Sequence, residues 1–304
     1  MDAGCAIRAL CDDVLGHLAT CLADATRPVV LVSLCTTSKA FNTHRVLRPL
    51  LQVLRERHEL VVGLCSRLGL DVAQLRECSH LPLSSRLLAA ADLSTLGVIL
   101  HTGRLLHLEG LHLANNGFSD ADVQQLCAGL VYDSAPQLSL LDLSGNRFGP
   151  AGVAALAAAL SRGVAPRLLE LSIDHSDLGH LSASAMSELA SPLRRLPRLR
   201  ALRLSCCDLH DAAFAALLVD ELSVADFAQL DVLHVGGNNV SDECLLAFVR
   251  LLAPSTTAAR TAPRLRKLRE CDDPRVEDWV HTLVWSTRPR LGPLPPCVRV
   301  EELE

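Results

Sequence analysis

The sequence predicts a curved α/β solenoid, with short parallel strands lining the inside, helices outside, and a small all-α module at the start. Three observations carry this. Five segments align in near-constant register: LEGLHLANNGF from Leu108, LSLLDLSGNRF from Leu138, LLELSIDHSDL from Leu168, LRALRLSCCDL from Leu199 and LDVLHVGGNNV from Leu230, at spacings of 30, 30, 31 and 31 residues. Each is followed by apolar residues at helical spacing. The 304-residue chain is 49% hydrophobic but only 3% aromatic, so its core is built from Leu, Ala and Val. That composition favours repeated aliphatic layers over an aromatic-lined pocket.

Each segment fits L-x-x-L-x-L-x-x-N/C-x-L, the signature of the leucine-rich repeat. L-x-L is a short strand whose leucines face inward, because side chains alternate along a strand. The Asn/Cys position turns the chain off the strand. It holds Asn116, Asn146, Ser176, Cys207 and Asn238. An inward amide there can satisfy backbone groups stranded in the turn.

The second half of each unit reads as a helix. Ser119–Asp120–Ala121–Asp122 resembles a capping box with Asp in place of Glu. Val123, Leu126 and Leu130 follow, then Val153, Leu156 and Leu160 in the next unit. The fifth opens with Ser241–Asp242–Glu243 before Leu245, Phe248 and Leu252. Pro136, Pro166 and Pro197 precede three of the segments, where a helix has ended and a strand begins. Repeats of this length with a full helix resemble the ribonuclease-inhibitor-like class. The resemblance covers roughly residues 76–268. Ala91–Leu105 looks like the helical half of an earlier unit, and PRLRKLRECDD, from Pro263, like a degenerate later strand. Atypical ends are expected of caps.

The expected division is therefore residues 1–60 as a helical module, 61–107 as linker and N-terminal cap, 108–260 as repeats, and 261–304 as degenerate repeat, cap and tail. In the tail, Trp279 and Trp285 either seal the open end of the solenoid or anchor a partner.

The first sixty residues leave the repeat. Asp12 and Asp13 suit a positive helix N-terminus ahead of Leu15, Leu18 and Leu22. Leu31 and Leu34 mark the next helix. This module resembles an F-box. The pattern's opening matches Leu10–Cys11–Asp12–Asp13–Val14–Leu15 and its close matches Thr37–Ser38–Lys39–Ala40–Phe41. Cys11 stands where the family has proline, Ser38 where it has cysteine, and Phe41 where it has tryptophan. The resemblance implies docking to the adaptor of cullin-based ubiquitin ligases through Asp13, Leu15, Leu18, Leu22, Leu31, Leu34, Lys39 and Phe41. The alternative is a helical cap over the first repeat.

Net charge is −5, which leaves no basic footprint for nucleic acid. The longest stretch without a charged residue, Phe148–Ser161, is 14 residues, too short for a membrane helix of about 20. The opening MDAGCAIRAL has no long apolar run, so a secretory signal is not expected. Twelve cysteines are then expected as reduced thiols in the cytoplasm or nucleus, and no CxxC pair or zinc spacing is present. Phosphate-loop, zincin and nucleophile-elbow motifs are lacking, so no catalysis and no cofactor or metal is expected. His101, His107 and His112 do not have the spacing of converging ligands. Gly236–Gly237 is read as a turn.

The residues that the repeat leaves over point to a binding role. One concave column reads His112, Asp142, Ser172, Arg203 and His234. The next reads Ala114, Ser144, Asp174, Ser205 and Gly236, and beside it run Asn115, Gly145, His175, Cys206 and Gly237. This face is mixed in sign and rich in small residues, which suits a protein or peptide ligand, and the F-box resemblance makes that ligand the substrate of a ubiquitin ligase. In a second reading, Arg147 after Asn146 approaches a nucleotide-binding partner, as in repeat proteins that activate the Ran GTPase. A third is a plain scaffold or inhibitor. Cys206 and Cys207 are adjacent yet occupy different positions of the repeat, so they are expected to face opposite ways.

Overall fold

A computed structural model describes residues 47–103, 105–131, 134–219, 230, 232–241, 243–244 and 267–269. Helix α1 (Leu47–Leu68) and the short α2 (Val72–Glu77) lead into alternating units: β1 (His80–Pro82), α3 (Ala90–Gly103), β2 (Gly110–His112), α4 (Asp120–Gly129), β3 (Leu140–Asp142), α5 (Pro150–Ser161), β4 (Glu170–Ser172), α6 (Ala183–Arg195), β5 (Ala201–Arg203), α7 (Asp211–Phe214) with a π-helical turn (Ala215–Val219), β6 (Val232–His234) and β7 (Lys267–Arg269).

The seven strands form one parallel sheet in sequence order. Leu81, Leu111, Leu141, Leu171, Leu202, Leu233 and Leu268 stand opposite one another across it. This is the period of the sequence realised as a ladder. The inner positions Leu111, Leu113, Leu141, Leu143, Leu171, Ile173, Leu202 and Leu204 are buried. Successive helices from α3 to the π-helical turn pack side by side behind the sheet. Helices α3 and α4 meet glycine on glycine: a Cβ added at Gly129 of α4 would lie 2.3 Å from the Gly97 carbonyl oxygen of α3.

Units are tied to each other at both helix ends. Gly149 has no side chain to cap α5, so Asp120 of the preceding helix does it, accepting from the Gly149 and Gly152 N–H at 2.6 and 2.8 Å. At the other ends Arg162 donates to the Cys127 carbonyl at 2.9 Å, and Arg194 to that of Leu217 at 2.9 Å. Such bonds satisfy groups that every helix terminus leaves open. The expected box at Ser119 forms, with the Ser119 N–H and hydroxyl both donating to Asp122, at 2.9 and 2.6 Å.

Two sequence expectations shift. The boundary at residue 60 falls inside α1, which runs unbroken to Leu68. Leu54, Val61, Leu64 and Cys65 form a single buried stripe along it, at helical spacing across that boundary. The segment 61–107 holds a full unit, since β1 precedes α3 and pairs with β2 in register. Its L-x-L core, Leu81–Pro82–Leu83, is intact, but Cys78 stands where the pattern opens with leucine and Arg86 where it has Asn or Cys, which hid the unit from the repeat signature.

Candidate functional site: the concave face of the sheet

Three columns of side chains cross the open face of the sheet. The first, which the sequence reading passed over, runs His80, Gly110, Leu140, Glu170, Ala201 and Val232 by register. The second runs Pro82, His112, Asp142, Ser172, Arg203 and His234, containing the expected column. The third is Ser84, Ala114, Ser144, Asp174, Ser205 and Gly236. The missed column was available from strand alternation: the residue before each inner leucine faces the same way as the residue after it.

That column supplies the strongest charge contact of the face. Arg203 Nε donates to Glu170 Oε1 at 2.6 Å, across β4 and β5. Beside it lies a polar relay. Asp174 accepts from the Ser205 N–H at 2.6 Å and from the Ser172 hydroxyl at 3.3 Å. The Ser172 and Ser144 hydroxyls share a 2.6 Å hydrogen bond. Burial pushes the Asp174 carboxyl above its usual range, against the Ser205 N–H and Arg203, which pull it down. Asp142 accepts from the Ser144 N–H at 3.0 Å. His112, Asp142, Asp174, Arg203 and His234 thus share one continuous face. His112 meets His80, with 3.3 Å between Nδ1 of His80 and Nε2 of His112.

The remaining expected residues sit at the rim. His175 and Cys206 occupy the left-handed region with φ of 54° each, alongside Asn115 at 56° and Gly145 and Gly237 at 65° and 64°. The glycines make room: a Cβ at Gly237 would fall 2.6 Å from Cys206 Sγ, and one at Gly145 would fall 2.0 Å from Asn115 Oδ1. Arg147 lies off the concave columns. It is exposed in the loop after Asn146, with its N–H bonded to the Phe118 carbonyl at 2.9 Å. His101 and His107 are also exposed and stand apart from His112 on α3 and the loop before β2. Asp13, Leu15, Leu18, Leu22, Leu31, Leu34, Lys39 and Phe41 fall outside the described residues, as do Trp279 and Trp285.

Below the face lies the turn ladder. Asn146 Oδ1 accepts from the Asn116 and Phe118 N–H, both at 3.1 Å. Its Nδ2 donates to the Leu143 and Leu113 carbonyls at 2.8 and 3.1 Å. Asn116 and Asn238 repeat this pattern. Cys207 is buried, and its thiol donates to the Ile173 carbonyl at 3.2 Å.

Residues 137–157, spanning β3 and most of α5, match the family model for the Leucine Rich repeat. That unit is a leucine-rich repeat, and the units on either side share its period and its order of strand, turn and helix. The crystal structure of the TLR13–ssRNA13 complex is one similar solved structure, at 18% identity and a TM-score of 0.32, covering 67% of this chain and 31% of that one. The chain thus spans under a third of that protein's length. No curated protein sequence matches it. Among the described residues, no helix is long and apolar enough to cross a membrane.

Proposed function

We propose that this leucine-rich-repeat chain is a non-catalytic interaction protein that holds a protein segment on the concave face of its sheet. The observation that carries the reading is the sheet itself. It presents three aligned columns, mostly of polar and small side chains, on one continuous parallel sheet, and extended concave surfaces are what such solenoids offer to partners. The centre of the binding surface is the Arg203–Glu170 pair with Asp174 and Asp142. His112 and His234 lie to either side of it, and His175 and Cys206 at the rim.

The finer reading makes the chain a substrate receptor of a cullin-based ubiquitin ligase. Its support is the F-box-like pattern from Leu10 to Phe41 in the sequence. The module would meet the adaptor through Leu15, Leu18, Leu22, Leu31 and Leu34, with Asp13, Lys39 and Phe41 at the edge. Helix α1 links it to the repeats without a break after residue 60.

Affinity purification of the full chain tests both levels. Adaptor and cullin are expected to co-purify with wild type and to be lost in Leu15→Asp, with the melting midpoint of the repeats unchanged. Arg203→Glu is expected to lose the captured target while keeping the adaptor. Adaptor missing from the wild-type eluate sinks the ligase link. A target retained by Arg203→Glu and by Asp174→Arg sinks the concave face.

A further inference from the structure

At the N-terminal end of the concave face two imidazoles converge without being opposite each other. In register, His80 of β1 stands against Gly110, and His112 of β2 against Pro82. The rings meet diagonally, with centroids 5.6 Å apart and planes inclined by 31°. Gly110 permits this: a Cβ there would lie 2.1 Å from His80 Nδ1 and 3.1 Å from His112 Nε2. The facing nitrogens are 3.3 Å apart.

That distance allows a weak hydrogen bond between the rings, longer than the usual spacing of about 2.9–3.0 Å for N–H donors. It is also the spacing of two ligands on one metal. With metal–nitrogen bonds of about 2.0–2.1 Å, ligand nitrogens stand about 3.3–3.4 Å apart at zinc's tetrahedral angles and about 2.9 Å apart at the right angles that nickel prefers, so the pair suits zinc as it stands and nickel after a small side-chain movement. His80 is exposed and His112 half-buried, so an ion can reach both from solvent. We propose that His80 Nδ1 and His112 Nε2 form a two-histidine site for a divalent transition metal of the zinc and nickel type, for which imidazole is a suitable ligand. No three His, Cys, Asp or Glu side chains converge among the described residues. Water therefore completes the coordination, on the side that opens to the concave surface. Asp142, next in the column, does not converge with the two rings.

Calorimetric titration of the untagged full chain with Ni²⁺ tests the site. Nickel is the probe because thiolates compete better for softer ions, and the chain has twelve cysteines. One Ni²⁺ per chain is expected. Losing even a residue that only supports a ligand weakens binding by about tenfold or more, so His80→Ala and His112→Ala are each expected to lose at least that. Gly110→Ala is expected to lose as much with both imidazoles present, because the added methyl pushes the rings apart. His101→Ala, exposed on α3 and apart from the pair, should bind as wild type does. Wild-type affinity in both His80→Ala and His112→Ala, or no binding by wild type at millimolar Ni²⁺, overturns the proposal. Both histidines are on the surface, so their variants decide the matter even if Gly110→Ala fails to fold.

Discussion

The turn that leaves each inner strand is built in two chemistries. At Asn116, Asn146 and Asn238 a carboxamide staples the turn to the unit before it, accepting two backbone N–H groups and donating to carbonyls of both units. At Ser176 and Cys207 no such staple exists. The Cys207 thiol donates to the Ile173 and Ser205 carbonyls and faces the Ser176 and His175 N–H groups with a weak sulfur acceptor in place of an amide oxygen, and Ser176 Oγ is buried without a hydrogen-bond partner. The Leu178 N–H turns instead to the Ser176 and Cys207 carbonyls, at 2.9 and 3.0 Å. Yet the backbone follows the same path, with φ of 54° at His175 and Cys206 against 56° at Asn115. Strand pairing and inner leucines set the shape of the turn, and asparagine adds energy to it.

The most severe way to break this comparison is Asn146→Ala. Two N–H groups and the carbonyls of Leu113 and Leu143 lose their amide partner in a position only 1% exposed. Stranding buried groups costs about 1–3 kcal/mol each before relaxation, so a net loss of about 3 kcal/mol is expected in urea denaturation. Ser176→Ala removes nothing that is bonded and should cost under about 1 kcal/mol. Equal losses at the two positions would mean that the asparagines are not what separates the two kinds of turn.

The converse change sharpens it. Ser176→Asn places an amide where the Ser176 hydroxyl is unpartnered, and the staple it restores should stabilise the fold by about 1 kcal/mol, the net worth of a hydrogen bond. A fall in stability instead would show that these turns are packed too tightly for the larger side chain.

Two aspartates that bridge units make a second contrast, read by pH. Burial raises Asp174, so the folded state binds its proton more tightly than the unfolded chain does. Its penalty is full above the raised value and gone below the ordinary carboxylate value. Asp174→Asn should thus be at least as stable as wild type at pH 7, with the gap closing in acid. Asp211 is the reverse: the Ser241 hydroxyl and N–H hold it low. Its contribution is present above the ordinary carboxylate value and lost as pH falls through the lowered one, so Asp211→Asn should be the weaker protein at pH 7 and converge with wild type in acid. Urea midpoints at a series of pH values distinguish the two directions.

Much of this was legible in the sequence, and the exceptions have physical causes. The inner leucines, the turn position and the box at Ser119 follow from local periodicity and capping chemistry. The first strand was not visible because Cys78 and Arg86 replace the opening leucine and the turn asparagine of its unit, and only pairing with β2 defines it. Glu170 was one alternation step from a column already in view. The contact of His80 with His112 was out of reach, because it depends on a diagonal across two strands and on Gly110 leaving the space open. The inter-unit caps by Asp120 and Arg162 join residues about thirty apart, which no local pattern links.

The last contrast, read by reaction rate and not by stability, concerns the adjacent thiols. Cys207 is fully buried at the turn position, and burial pushes its thiol up to about 12. Only the thiolate reacts with alkylating agents, so Cys207 should be slower than an unperturbed thiol by on the order of a thousandfold in the native state, before access is counted. Cys206 is only half-buried, at the rim, over the space that Gly237 leaves open. A brief pulse of maleimide at pH 7 followed by peptide mapping should find label on Cys206 and none on Cys207. Mild urea should raise Cys207 labelling only as the repeats unfold together, since its thiol is held between the Ile173 and Ser205 carbonyls of the core. Parallel labelling of both in native buffer would mean that this turn opens by itself, and that the units lacking asparagine are held less firmly than their shared backbone path implies.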